Sequence, residues 1–199
     1  MYGNTEKNEM IQPHGGRLVD RVVTAEEAAQ WKSRAAELPR LQLDFRQLTD
    51  LYLLGVGAFS PIEGFQGSQE IWSVARDFRL ASGLIWSIPL LLLVGEKAQC
   101  WKEGSPVLLL DEASQPVGVL HLEEKFRLAK PEFAELIFRT KEDQHPGVAW
   151  LYGAGELALA GNVSVFPGWR PHSYDGYPSI PAETRQAIGE RGWARVAGF

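Results

Sequence analysis

The sequence is poor in the residue types from which most active sites are assembled. It has one cysteine, Cys100, two methionines, and only four histidines in 199 residues. A lone thiol makes no internal disulfide and no cysteine-based metal cluster, so a reducing, cytoplasmic setting is expected. Basic residues are scattered, form no stripe interleaved with aromatics, and are outweighed by acids to a net charge of −5. Binding through phosphate neutralisation is therefore not expected, and nucleic acid is set aside as a partner. Long apolar runs are also missing. The longest, Leu84 to Val94, is about half of what a membrane helix needs, and the first ten residues lack the apolar segment of a signal peptide.

What is present is core material. Hydrophobic residues make up 45% of the chain, with seven tryptophans and nine phenylalanines, enough for one sizeable domain. Thr24 and Glu27 form a capping box that predicts a helix from Ala25 to about Leu38, stopped by Pro39. Asp44 caps a second, with Phe45, Leu48, Leu51 and Tyr52 on one face, ending near Gly55. Ser68 caps a third, carrying Ile71, Val74, Ala75 and Phe78 on one side. From Leu84 the period becomes strand-like: Leu84–Val94, Pro106–Leu110, Val117–Glu123 and Glu156–Phe166 are predicted strands, with a short helix at Glu132–Phe138 started by Pro131. Helices followed by strands argue for an α+β domain with a small, mostly antiparallel barrel or sheet. Proline and glycine crowd into residues 167–180, which read as a linker. Beyond it Pro181 starts a helix that Gly192 ends, and Trp193–Phe199 reads as a strand.

No candidate chemistry stands above its bland reading. His145 before Pro146 and His14 beside two glycines suit turn braces, because no nucleophile or carboxylate is spaced to work with them. His121 and His172 have no ligand-like neighbours at metal spacing. Asp111-Glu112 and Glu123-Glu124 are hairpin and strand-end pairs. Gly55-Val-Gly57 follows a helix where a dinucleotide loop follows a strand. No catalytic, cofactor-binding or metal-ligating residue is assigned.

The chain is organised around the apolar, glycine-rich stretch Gly55-Val-Gly-Ala-Phe-Ser-Pro-Ile-Glu-Gly-Phe65. Gly57 and Gly64 allow sharp turns, Pro61 fixes its own φ and pushes Ser60 toward an extended shape, and Phe59 and Phe65 are expected in the core. Together these six residues read as a structural corner. The same stretch resembles the amino-terminal domain of ATP sulfurylase, the sulfate adenylyltransferase family. Leu48-Thr-Asp-Leu-Tyr-Leu-Leu54 before it, Pro13-His-Gly-Gly16, Trp86-Ser-Ile-Pro89 and His145-Pro-Gly-Val148 match in order. Gln66, Arg139 and Lys141 depart from the family's usual residues.

That resemblance implies a PUA-like pseudo-barrel with appended helices over residues 1–166, a linker at 167–180, and the truncated beginning of an α/β nucleotidyltransferase domain at 181–199. It implies adenylyl transfer from ATP to sulfate with Mg²⁺ in the intact enzyme, and motifs that bind the phosphates only after the strand ending at Phe199. The 199-residue chain is then expected to be inactive and to hold neither ATP nor Mg²⁺, its partners being its own catalytic domain and further copies in a homo-oligomer. The alternative is a free-standing PUA-like module that binds RNA or protein.

Overall fold

The computed structural model describes residues 10–170 and 180–197. Helix α1 (Ala25–Ser33) begins as its capping box dictates: Glu27 N–H donates to Thr24 Oγ1 and Thr24 N–H donates to the Glu27 carboxylate. It ends about a turn and a half earlier than Pro39 alone would require. Residues 34–37 tighten into turns, and the Arg40 guanidinium donates to the Ala35 carbonyl and closes them. Helix α2 (Phe45–Gly55) is capped reciprocally by Asp44 and Gln47, and buries Leu48, Leu51 and Leu54 at the three- and four-residue spacing of a helix face. Helix α3 (Ser68–Asp77) has Gly67, not Ser68, at its N-cap; it buries Ile71, Val74 and Ala75 and stops at Phe78 in the left-handed region.

The strands are β1 (Arg40–Gln42), β2 (Gly64–Phe65), β3 (Leu92–Val94), β4 (Pro106–Leu110), β5 (Pro116–His121), β6 (Glu124–Arg127) and β7 (Leu157–Val165). Among the described residues they form one curled sheet in the order β1-β4-β5-β7-β2, with β3 and β6 also paired to β7. Every pairing is antiparallel except β1 with β4. Strand β7 is the hub because it is long enough to serve four partners along its two edges. Asn162 is its one exposed residue. Three more helices complete the fold: α4 (Lys130–Phe138), α5 (Pro146–Gly153) and α6 (Pro181–Arg191).

The core has three parts. The largest packs α2 against the sheet through Leu48, Leu51, Leu54, Leu109, Leu120 and Val163. A second lies under α3, α4 and α5, built on Ile71, Phe133, Val148 and Leu151. A third joins Ala28 of α1 to Leu108, Val119 and Phe166. Each fully buried leucine stabilises the fold by a few kcal/mol, judged from the roughly 2–5 kcal/mol that Leu→Ala costs in packed cores.

Two predicted strands are corrected. Of Leu84–Val94 only Leu92–Val94 is strand, because Pro89 has no N–H to give a ladder and the Trp86 indole donates to the Ile88 carbonyl, curling the preceding segment. Trp193–Phe199 is not a strand over residues 193–197, which have no ladder partner; residues 198–199, like 171–179 of the predicted linker with His172, and residues 1–9, lie outside the described residues.

Candidate functional site

The corner begins where α2 runs out. Gly57 takes a φ of 80°, and a Cβ there would collide with the Val19 carbonyl oxygen, so glycine is required on both counts. The chain then reaches buried Ser60, whose Oγ donates to Gly57 O at 2.6 Å and accepts from Val19 N–H at 2.8 Å. The Ser60–Pro61 peptide is cis. Gly64 pairs with Asn162 on β7, so close to Gly161 that a side chain would strike its carbonyl, and Phe65 is buried beside it. Phe59 is only half-buried. It packs on the edge of the main core and meets Trp86 edge-on at 6.2 Å.

Three of the four matched motifs converge here. His14 of the Pro13–Gly16 turn bonds through Nε2 to the Ile85 carbonyl at 2.7 Å and lies 6.1 Å from the Trp86 ring, while Gly15 passes against Pro61. Because a carbonyl only accepts, Nε2 carries the proton. The fourth motif is elsewhere: His145 Nδ1 accepts from Gly147 N–H at 3.1 Å, at the start of α5, with its ring 5.0 Å from Phe138. Beside the corner, Glu63 is clamped by Arg17 and Arg21, and Arg21 Nε also donates to the Val163 carbonyl. Sequence reasoning missed this clamp, since each arginine lies more than forty residues from Glu63.

Titratable groups elsewhere are mostly spoken for. Lys130 is buried, and its ammonium donates to Ala154 O and to the Glu156 carboxylate at 2.8 Å each, covering the C-terminal end of α5. That bond from Lys130 holds the Glu156 carboxyl below its usual range. His121 shares a 2.9 Å hydrogen bond with Ser164 Oγ; burial first, then Arg21, hold it below the usual histidine value, against Glu123. A Ser–His pair of this kind needs an orienting acid hydrogen-bonded to the imidazole and an oxyanion donor to act as a nucleophile, and the imidazole's hydrogen bond is to Ser164 alone among the described residues. Among the described residues no group of three or more His, Cys, Asp or Glu is arranged to hold a metal ion, and no helix is long and apolar enough to cross a membrane. Among the described residues these contacts brace the fold.

A family model described as a PUA-like domain matches residues 11–167. The chain belongs to the PUA-like domain family. This PUA-like chain is also 43% identical over 190 residues to a sulfate adenylyltransferase of Synechococcus elongatus, covering 95% of itself and 48% of that protein. It is 40% identical to the sulfate adenylyltransferase of Halothermothrix orenii, covering 96% of itself and 50% of the relative. A probable bifunctional SAT/APS kinase of Sorangium cellulosum is 39% identical, with 33% of its length covered. Among solved structures, a hexameric APS kinase from Thiobacillus denitrificans superposes with a TM-score of 0.70 at 25% identity, over 92% of this chain and 32% of that one. The PUA-like chain thus spans about half the length of the sulfate adenylyltransferases it matches.

Proposed function

We propose that this chain is the amino-terminal portion of a sulfate adenylyltransferase, an enzyme that joins ATP and sulfate to give adenosine 5′-phosphosulfate and pyrophosphate, and that it scaffolds a catalytic portion without performing the reaction. The observation that carries this reading is 43% identity maintained over 95% of the chain but only 48% of the relative. Residues 1–166 are the PUA-like domain, 167–180 the connection, and 181–199 the start of the catalytic domain. Support for the last comes from α6, none of whose residues is buried, and from the exposed Trp193 and Val196 that follow it. A segment that keeps large apolar side chains exposed suits one that packs against a further domain.

The chemistry expected of the intact enzyme is positioning and charge stabilisation around the phosphates. ATP and Mg²⁺ would need a phosphate cradle and oxygen ligands, and the described residues offer no such set: Gly55 ends α2 against Val165, Gly57 turns the chain after it, and the carboxylates form no metal group among the described residues. We therefore assign those contacts to the rest of the enzyme. A homo-oligomer is proposed for the intact protein, by analogy with the hexameric relative. A free-standing binding module is not favoured, because such a module has no use for α6. The decisive experiment is a pyrophosphate-release assay. The purified 199-residue chain should show no turnover with ATP and sulfate, and joining it to the second half of a matched relative should create turnover. Turnover by the 199-residue chain alone would overturn the scaffold reading.

A further inference from the structure

Helix α6 is joined to the front of the chain by a hydrogen bond. Arg185 Nη2 donates to the Ile11 carbonyl at 2.6 Å, across 174 positions of sequence. Packing adds little to that grip. None of the helix's residues is buried, and Arg185 also borders two open hollows, one facing Leu53 and Val56 and the other facing Arg17.

The bond sets residues 10–11 beside the segment that follows α6. Between them runs a groove of about 240 Å³, lined by Met10, Ile11, Ile188, Trp193 and Val196. Ile11 is 85% exposed, and Met10, Trp193 and Val196 are exposed as well. A Cβ at Gly189 or Gly192 would meet nothing within 4 Å, so the groove is open where those glycines border it. Its described lining holds no carboxylate, whereas Arg185 lines it and Arg191 lies over the Trp193 ring at 4.9 Å. An apolar groove edged by cations suits an apolar face rimmed by carboxylates.

We propose that this groove is the seat of the catalytic portion, and that the Arg185–Ile11 bond is the latch that builds it, so that Met10 and Ile11 belong to the seam between the two portions. The proposal rests on the reading above, in which the chain is the amino-terminal portion of a sulfate adenylyltransferase. Two observations choose the occupant. On that reading about half of the enzyme follows Phe199, which is three residues past Val196. Three residues span at most about 11 Å, so the catalytic portion enters next to the groove. A second copy of the chain fits less well. A two-fold contact sets the same patch against itself, and Arg185 and Arg191 would face their own counterparts with no carboxylate in the described lining to separate them.

Hydroxyl-radical footprinting tests the seat, applied to the 199-residue chain and to the same chain joined to the second half of the Synechococcus elongatus relative. Oxidation of Met10 is the readout. It should slow by about fivefold or more in the joined protein, because side chains in an interface core are shielded from solvent. Arg185→Leu, which removes the latch, and Ile11→Asp, which puts a charge in the seam, should each return Met10 to the rate of the unjoined chain. Arg127→Gln, paired with Glu96 on β6, should leave it slow. Ile11 is exposed and α6 buries nothing, so neither substitution at the seam removes core packing. Equal rates in the two proteins would overturn the seat. So would a Met10 already slow in the unjoined chain, at every concentration if the chain covers its own groove, or only at high concentration if a second copy does. Turnover with ATP and sulfate is measured on the same samples. A joined protein that turns over with Met10 unprotected sinks the seat and leaves the enzymatic reading; one that protects Met10 without turnover upholds the seat and counts against that reading.

Discussion

A single hydroxyl ties the segment before α1 to the turn after α2. Ser60 Oγ is bonded to a backbone donor and a backbone acceptor from those two segments, in a place water does not reach. Ser60→Ala should therefore orphan the Val19 N–H and lower the unfolding free energy in urea by roughly 1–3 kcal/mol. A loss no larger than that of a surface serine would show that the corner relaxes around it. Asp50, half-buried on α2, supplies a different kind of test. Burial is the main reason its pKa is raised from 3.8 to about 6; Asp44 adds to the rise, and Arg46 opposes it. A folded-state pKa above the unfolded one means the native state binds the extra proton between those values. Stability should thus fall as pH rises from about 4 to 6 and stay lowered above that. Asp50→Asn is expected to be near neutral at about pH 3.5 and to stabilise at about pH 7 by up to roughly 3 kcal/mol, since each tenfold change in proton affinity is worth about 1.4 kcal/mol. Equal effects at both pH values in denaturant titrations would rule out titration as the cause.

Helix α2 and its neighbours show why some elements announce themselves and others do not. Asp44 with Gln47, and Thr24 with Glu27, are local signals, complete within four residues, and both capping boxes form as their spacing dictates. Asp44→Ala should cost about 1 kcal/mol in thermal or urea unfolding, the usual value of an N-cap. Helix α5 escapes sequence reading because Pro146–Gly153 is apolar nearly all round and has no polar face to set a period. Strands β1, β2 and β6 are short, and β6 alternates charges with one phenylalanine. They exist through their partners: β2 because Gly161 and Asn162 lie beside Gly64 and Phe65, and β6 because it runs antiparallel to β7 from Glu124 to Arg127. The convergence of the Pro13–Gly16, Gly57–Phe65 and Trp86–Pro89 stretches is equally invisible in the sequence, being a matter of tertiary placement. Burial separates two phenylalanines that look alike in the sequence. Phe65→Ala should cost about 3–5 kcal/mol, and half-buried Phe59→Ala clearly less; equal losses in urea would contradict the packing described.

At the scale of the whole molecule, the mixed α+β character was legible because hydrophobic period is set locally, while the short strands β1 and β2 set between the first helices, and the sheet's connectivity, were not. The boundary near residue 167 can be tested by shortening the protein. A chain ending at Arg170 loses α6, which contributes no buried residue. Its unfolding midpoint in urea should match that of the full chain within about 1 kcal/mol, and a larger drop would mean that 180–197 belong to the same cooperative unit. Strand β7 has a consequence for how this protein comes into being. It spans Leu157–Val165 yet closes ladders with segments as early as Gly64 and Leu92. During synthesis the ribosome must therefore deliver more than three-quarters of the chain before the sheet can close, and until then β2, β3, β5 and β6 wait with bare edges. Pairing over such separations is slow, and exposed edges invite association with other nascent chains. Ribosome-arrested chains released up to residue 155 should be digested readily by protease, and those released past residue 167 should resist, with the change falling as Val165 clears the exit tunnel.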